Sequence, residues 1–588
     1  MNILGISCYY HDAAAVLISD GRILAAAEEE RFSRKKHDAG FPKKAIDYCL
    51  EADALSSSDL DYVVFYEKPF RKFHRILISS LSTYPRSYAS FREAMRLWMT
   101  QKLWIKSEIA SYLKLPEDKI FFSEHHLSHA ASTFYPSPFK EAAIMTVDGV
   151  GEWATASYSF GSGNKIKLLK EINFPRSIGL LYSAFTAFLG FEVNEGEWKV
   201  MGLAPYGKPK YQKEIWQTVK MNGDGSFKIN FDYFSFHYSD RYSFSKKLVS
   251  LLGPPLDPEK AHLSSSRSAD IAASIQAVIE ELLLNMARNL KKITSSDNLC
   301  LAGGVALNSV ANYRLLEESG FKNIFIQPAA GDSGGALGAS LYLYHHVLNR
   351  LNRTGMKHAY LGQEFDGGKI LHYLQINRFP YRKLADKQLV DYCAGQIKKG
   401  KVIGWLQGRF EWGPRALGHR SILADPRNPK MKDIINAKVK FREAFRPFAP
   451  SVLAEKATEV FDLSALKHPG GGKLSLRSSD SPGVNLTDHF PLRFMLYVVP
   501  VRPFWRKKVP AVTHADNTAR PQLVYKDSNP LYYSLISAFH KKTGVPLLLN
   551  TSFNLKGEPI VASPEDAYST FIRSGIDILV MGNFICEK

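Results

Sequence analysis

The segment Ser123-Glu124-His125-His126-Leu127-Ser128-His129-Ala130 sets His125 and His129 four residues apart. On a helix that spacing puts both imidazoles on one face, as metal ligands require. An isolated pair of this kind is more often two surface or satisfied core histidines. Two carboxylates shift the balance: Asp148 at the tip of a hairpin in Asp148-Gly149-Val150-Gly151, and Asp332 in the glycine-rich loop Gly331-Asp332-Ser333-Gly334-Gly335. Carboxylates held on tight glycine turns are poised for a metal or a phosphate, and a shell of two His and two Asp suits iron, manganese or zinc alike. His11, in Tyr9-Tyr10-His11-Asp12, falls on the first hairpin strand. A neutral imidazole with an ordinary pKa near ~6.5 could take a proton there from a substrate hydroxyl, although a lone histidine is more often structural.

A second group of residues is cationic. Arg409, Arg415, Arg420 and Arg427 lie within 408–427, and Lys438, Lys440, Arg442 and Arg446 within 438–450; Arg520 and Asn550 follow predicted strands. Planar guanidinium forks match phosphate and carboxylate oxygens. A nucleic-acid patch would call instead for exposed aromatics interleaved with Lys, so the compact Pro-Gly turns around these residues favour a small-anion pocket.

The elements that must position these groups are legible in outline. Residues 2–7 and 14–18 are short β-prone runs, and Asp20-Gly21 is a two-residue hairpin signal. The run 142–147, followed after Asp148 by the alternating 154–160, repeats the idea, which suggests a duplicated lobe. At 298–304 and 324–341 a strand, a glycine-rich loop and a helix follow one another twice. Such loops present backbone N–H groups at helix N-termini, making Gly303, Gly304, Asn308, Asp332 and Gly335 candidate nucleotide contacts. Residues 67–106 carry nine Lys/Arg against Glu67 and Glu93 with helical periodicity. A basic, partly buried surface helix explains that stretch more simply than a membrane-surface or RNA-binding role. Loss of apolar periodicity across 349–368 puts a domain boundary near 355, giving domains 1–355 and 356–588, and 467–483 reads as a loop inside the second.

At 588 residues, 45% hydrophobic and 23% charged, the chain is long enough for two folded domains and lacks the bias of a disordered protein. Its five cysteines are scattered with no C-x-x-C, which argues for reduced thiols rather than disulfides or a thiolate zinc site. No apolar run spans a bilayer and the first residues lack a signal-peptide pattern, so a cytoplasmic protein with no membrane partner is expected. The net charge of +19 fits nucleic acid, an anionic surface or anionic substrates, and does not choose among them.

Ten segments taken together resemble one family. Tyr9–Gly21, Glu29–His37, Glu124–Ser132, Val147–Trp153, Glu195–Gly207, Leu301–Asn308, Gly331–Ala339, Gly408–Arg427, Phe441–Leu453 and Leu548–Val561 are similar to the O-carbamoyltransferases of the NodU/CmcH type. The resemblance covers almost the whole chain. It implies an α/β fold: a duplicated actin/Hsp70-like ATPase (Kae1-like) domain followed by a YrdC-like α/β domain. By resemblance, the second domain makes carbamoyl adenylate from carbamoyl phosphate and ATP with Mg²⁺. The first then passes the carbamoyl group to a hydroxyl of a small-molecule natural product, such as an antibiotic, sugar or guanidinium toxin. The same resemblance implies His125, His129, Asp148 and Asp332 as Fe²⁺ ligands, with Mn or Zn as substitutes, and His11 as the base beside the acceptor. Arg415, Lys440, Arg446, Arg520 and Asn550 are implied as carbamoyl-phosphate and adenylate contacts. Leu492-Arg493 departs from the small residue and proline expected there. Two alternatives remain: a transferase of the tRNA threonylcarbamoyl-adenosine type and a non-enzymatic Hsp70-like ATP switch. Nucleic acid is disfavoured as a partner, and a homodimer is compatible with the reading.

Overall fold

Short apolar runs joined by tight turns build the first sheet. Asp20 and Gly21 take φ of 47° and 77°, the left-handed pair that a two-residue turn needs to match strand twist. They close the hairpin between β2 (Ala14–Ser19) and β3 (Arg22–Glu28). The structure, a computed structural model, describes residues 1–260, 265–443, 445–466 and 490–588. The loop expected at 467–483 lies outside the described residues.

With β1 (Asn2–Ser7), β4 (Tyr62–Phe65) and β5 (Ile120–Phe122), the first sheet has the order β3-β2-β1-β4-β5. β1 runs antiparallel to β2 and parallel to β4, and β4 parallel to β5. The next strands, β6 (Glu141–Val147), β7 (Ala154–Ser162) and β8 (Lys165–Asn173), meander antiparallel. After a small hairpin of β9 (Val219–Met221) and β10 (Phe227–Ile229) come β11 (Asn298–Ala302) and β12 (Asn323–Ile326). The second sheet has the order β12-β11-β6-β7-β8, with β11 parallel to both β6 and β12. Read outward from β1 and from β6, the two sheets have the same order and the same directions. The lobe is duplicated, as an actin/Hsp70-like fold requires.

Helices 125–134 and 332–341 pack face to face beside these sheets. A Cβ on Gly338 would fall 1.6 Å from Ser128 O. Only glycine lets the two backbones approach so closely, and that approach brings the histidines of one helix toward the first residue of the other.

The chain divides into two compact units, Met1–Ala26 with Ala39–Gly355, and Ala27–Asp38 with Met356–Lys588. A boundary near 355 in sequence therefore misses one exchange: residues 27–38 group with the second unit. The reason is hydrogen bonding. Gly413 N donates to Glu28 Oε1 at 2.7 Å, Arg31 Nη2 donates to Gly413 O at 2.7 Å, and Arg34 donates to Ile560 O and Pro559 O at 2.8 and 2.9 Å.

The second unit is built on an eight-stranded mixed sheet. Its strands are β13 (Arg382–Lys383), β14 (Ile403–Leu406), β15 (Arg420–Ala424), β16 (Ala449–Leu453), β19 (Gln522–Val524), β20 (Leu547–Ser552), β21 (Ile578–Met581) and β22 (Phe584–Glu587), with a separate pair, β17 (Val499–Pro500) and β18 (Thr518–Ala519). The order is β13-β22-β21-β14-β15-β20-β16-β19. Helices Asp386–Lys398 and Pro530–Thr543 pack together, and Trp405 and Trp412 are fully buried. Among the described residues no helix is long and apolar enough to cross a membrane.

Candidate functional site

Four side chains from three places in the chain meet in the first unit. His125 opens helix 125–134 and His129 lies one turn on; Asp148 follows β6 directly, and Asp332 opens helix 332–341. All four are buried, and one donor atom of each lies within 4.8 Å of the others. The two Nε2 atoms are 3.0 Å apart, and Asp148 Oδ2 is 3.0 Å from His125 Nε2 and 3.6 Å from His129 Nε2. Asp332 Oδ1 is 3.7 Å from both. Donors bound to one metal at about 2.0–2.2 Å sit roughly 3.0–3.6 Å apart at octahedral or tetrahedral angles, so the spacing fits a single ion.

The surroundings fit a cation as well. Gly304 N donates to Asp148 Oδ1 at 2.9 Å and Tyr66 Oη to Asp332 Oδ2 at 3.4 Å, which turns the other oxygens inward. Glu67 Oε2 lies 3.8 Å from His125 Nδ1, the outer carboxylate that a ligating histidine commonly has. Burial alone would raise the Asp148 carboxyl, but hydrogen bonds from His125 and His129 outweigh it and hold it well below the usual range. Burial would lower His129, yet Asp148 and Asp332 push it up to about 9. The carboxylates thus favour a proton on His129, where a bound cation would supply the charge. His126 is different: burial and its two histidine neighbours drive its pKa well down, and its Nδ1 pairs with Thr146 Oγ1 at 2.6 Å.

His11 lies in the turn between β1 and β2, the counterpart in the first sheet of the turn holding Asp148, rather than on a strand. Its Nε2 is 3.0 Å from Asn194 O and its Nδ1 is 2.8 Å from Asp12 Oδ2. Both acceptors call for a proton. Burial opposes this, but Asp12 outweighs it and raises the pKa to about 9. The expected neutral imidazole is therefore an imidazolium at neutral pH.

The nucleotide candidates have local duties. Asn308 caps helix 309–318 by accepting from Ala311 N at 3.1 Å and pairs with Gln276. Gly304 N is taken by Asp148. Gly303 takes φ 93°, and a Cβ on Gly335 would lie 2.7 Å from the Tyr66 ring.

In the second unit the cations separate into two groups. Arg420 is fully buried and donates to the carbonyls of Gln407, Gly408 and Ala562; Arg409 donates to Leu361 O and Gly362 O; and Arg427 is paired with Asp425 at 2.6 Å. These three are structural, which corrects their reading as anion ligands. The others crowd together. Burial pushes Arg415 down to about 10. Arg520 is driven well down by burial and then by Arg415 and Arg442, and Lys440 by burial, Arg442 and Arg446. Buried nitrogens of Arg415, Arg442 and Arg520 have no hydrogen-bond partner. Lys440 Nζ donates to Ser552 O and to Asn554 Oδ1, and Asn550 Nδ2 donates to Ser451 Oγ at 2.9 Å and Ala416 O at 3.1 Å. Arg446 Nη1 lies 3.3 Å from Glu443 Oε2. Such a cluster of cations is stable only with an anion among them.

The carbamoyltransferase N-terminus model matches residues 2–341 and the carbamoyltransferase C-terminus model residues 394–588. The chain belongs to the carbamoyltransferase family. It is 47% identical to the uncharacterized protein sll1178 of Synechocystis sp., covering 100% of this chain and 97% of that one. It is 37% identical to nodulation protein NolNO of Sinorhizobium fredii, over 99% of this chain and 79% of that one. Among solved structures, T. kodakarensis HypF aligns at TM-score 0.31 and 15% identity over 60% of this chain and 49% of that one. This carbamoyltransferase is a transferase enzyme of two family domains.

Residues missed from sequence include Glu67, Glu152 and Arg493. Glu152 accepts from His125 N and Lys68 N, fixing the start of the histidine helix. Arg493, at the Leu492-Arg493 departure, lies 4.0 Å over the Tyr525 ring with Nε buried and unpartnered. Acidic residues shortly after a strand end are common, so nothing local marked the roles of Glu67 and Glu152; Arg493 closes the helical turn Phe490–Arg493 and was marked only as a departure from the family pattern.

Proposed function

We propose that the enzyme is an ATP-dependent O-carbamoyltransferase acting on a hydroxyl of a small molecule. The observation that carries this reading is the buried cation cluster of Arg415, Arg442, Arg520 and Lys440, with unpartnered nitrogens that polyanions such as carbamoyl phosphate and ATP would satisfy. In the second unit, carbamate released by hydrolysis of carbamoyl phosphate attacks the α-phosphorus of ATP, and pyrophosphate leaves. Fixed guanidinium charges favour the developing negative charge, and burial keeps water from the labile carbamoyl adenylate. In the first unit, the acceptor hydroxyl attacks the carbamoyl carbon and AMP leaves.

His125, His129, Asp148 and Asp332 would hold a divalent metal, iron in this reading, with manganese or zinc also suited to the donor set. Such an ion supplies Lewis acidity toward phosphate oxygens. The residues supply the rest: Gly304 N and Tyr66 Oη fix the carboxylates, and His11 takes the proton of the acceptor hydroxyl. Because His11 is held protonated with a pKa near about 9, it must lose its own proton first. Transfer therefore falls as pH drops through that value. The test is a panel of small-molecule alcohols incubated with enzyme, carbamoyl phosphate and ATP. One added carbamoyl group by mass, dependent on both co-substrates, is the expected result; ATP-independent transfer or none with any alcohol counts against the reading.

A further inference from the structure

The two halves of the first unit differ in both of their crossovers, and the one that is longer in the first half is that between its last two strands. From β11 to β12 the chain needs only residues 303–322, but from β4 to β5 it runs through 66–119 and adds helices Pro69–Ser82 and Tyr88–Thr100. The duplicated fold closes without these helices, so what they display is free to serve something else.

The sequence suggested a partly buried basic surface and no membrane partner; the helices are partly buried, through Lys72, Arg75 and Trp98, and they also leave a set of apolar side chains in solvent. Phe70 is 72% exposed, Leu81 62%, Tyr84 70% and Trp104 61%, with Tyr88 and Met99 more than half exposed. Leu81, Tyr84 and Tyr88 sit at or beside the turn joining the two helices, so they gather at one end of the hairpin. Isolated exposed apolar residues need no explanation, but a cluster on a short segment does. From Lys68 to Lys106 there are nine Lys/Arg and a single acidic residue, Glu93; Lys68, Arg71, Lys72 and Lys106 pair with Glu124, Glu67 and Glu117 and Arg75 is buried, so the cations presented near the turn are Arg86, Arg92 and Arg96. Arg92 and Arg96, one helical turn apart, are exposed, and their side chains make no ion pair or hydrogen bond among the described residues.

We infer that this helical hairpin is a docking surface for an anionic lipid bilayer, with the tip aromatics and Leu81 entering the headgroup layer and the arginines facing lipid phosphates. Basic amphipathic helices with Trp, Tyr, Phe and Leu on the apolar side bind in this manner. A second copy of the chain fits less well, because an isologous contact would set the basic face against itself.

The test is co-sedimentation of the full chain with phosphatidylcholine vesicles and with vesicles that also contain phosphatidylserine. The protein should pellet only with the second, and added salt should release it. Leu81→Glu with Tyr84→Glu should abolish pelleting, and Arg92→Glu with Arg96→Glu should weaken it roughly tenfold or more. Melting temperature shows that each variant is folded. The lipid and salt comparison uses wild-type protein alone, so it stands if a variant misfolds. Wild-type protein that stays in the supernatant, or folded variants that pellet like wild type, would overturn the inference. Concentration-dependent self-association lost in the same variants would reassign the face to a second copy.

Discussion

In the first unit two imidazoles and two carboxylates converge, and His129 keeps a proton up to about pH 9 because Asp148 and Asp332 demand a positive charge there. In the second unit Arg415, Arg442, Arg520 and Lys440 crowd together; burial lowers the pKa values of all four, and repulsion from neighbouring arginines lowers those of Arg442, Arg520 and Lys440 further. One site gathers donors suited to a cation and the other gathers buried cations. The difference teaches that neither cluster is there for stability alone: each is electrostatically unfinished in a way that only a ligand of the opposite sign completes. The proposed two-stage carbamoyl transfer would use both, with polyanionic substrates at the guanidiniums and a metal at the histidines.

The sharpest break of this contrast is to remove a metal ligand. His125→Ala or Asp148→Ala should leave transfer undetectable and the purified protein without stoichiometric metal. A variant that keeps its metal by elemental analysis would contradict the shared site. Next comes His11→Asn, which should slow transfer by roughly 10²–10⁴-fold, the usual effect of losing a general base. It should also erase the fall of wild-type rate below pH about 9; an unchanged acid limb would return His11 to a structural role. On the cationic side, Arg415→Ala or Arg520→Ala should cut carbamoyl-phosphate-dependent pyrophosphate release by roughly 10²–10³-fold, the scale of one lost electrostatic stabiliser. Equal turnover by the variant would remove that residue from the pocket. The smallest effect belongs to Glu67→Gln. With its carboxylate 3.8 Å from His125 Nδ1, it should lower metal affinity about 10–100-fold and leave pyrophosphate release alone. Competition with a chelator measures the first quantity.

What was legible in the sequence is what depends on local chemistry. Asp20-Gly21 announces its turn because both residues tolerate positive φ, and His125 and His129 share a face because the helical repeat puts them there. Asp148 and Asp332 stood out through their glycine turns. The charge of His11 was legible only in part: Asp12, which raises it most, is its neighbour in sequence, whereas Asp332 and the carbonyl of Asn194 that add to it are remote. Arg409 and Arg420 looked like anion ligands because a pattern of residue types does not show which carbonyls the folded chain brings to them, and Asn308 looked like a nucleotide contact because a helix cap and a phosphate site use the same kind of loop. The grouping of residues 27–38 with the second unit rests on Gly413, Pro559 and Ile560, a long-range pairing that no periodicity records. Periodicity in 67–106 likewise gave the helices without telling whether their apolar faces are covered.

The central claim is that the two clusters serve separable half-reactions. It is tested most directly by carbamoyl-phosphate-dependent pyrophosphate release from ATP, compared in wild type, His125→Ala and Arg415→Ala without any acceptor. The account predicts near wild-type release in His125→Ala and a loss of roughly 10²–10³-fold in Arg415→Ala. Equal loss in both variants, or loss in His125→Ala alone, would contradict it.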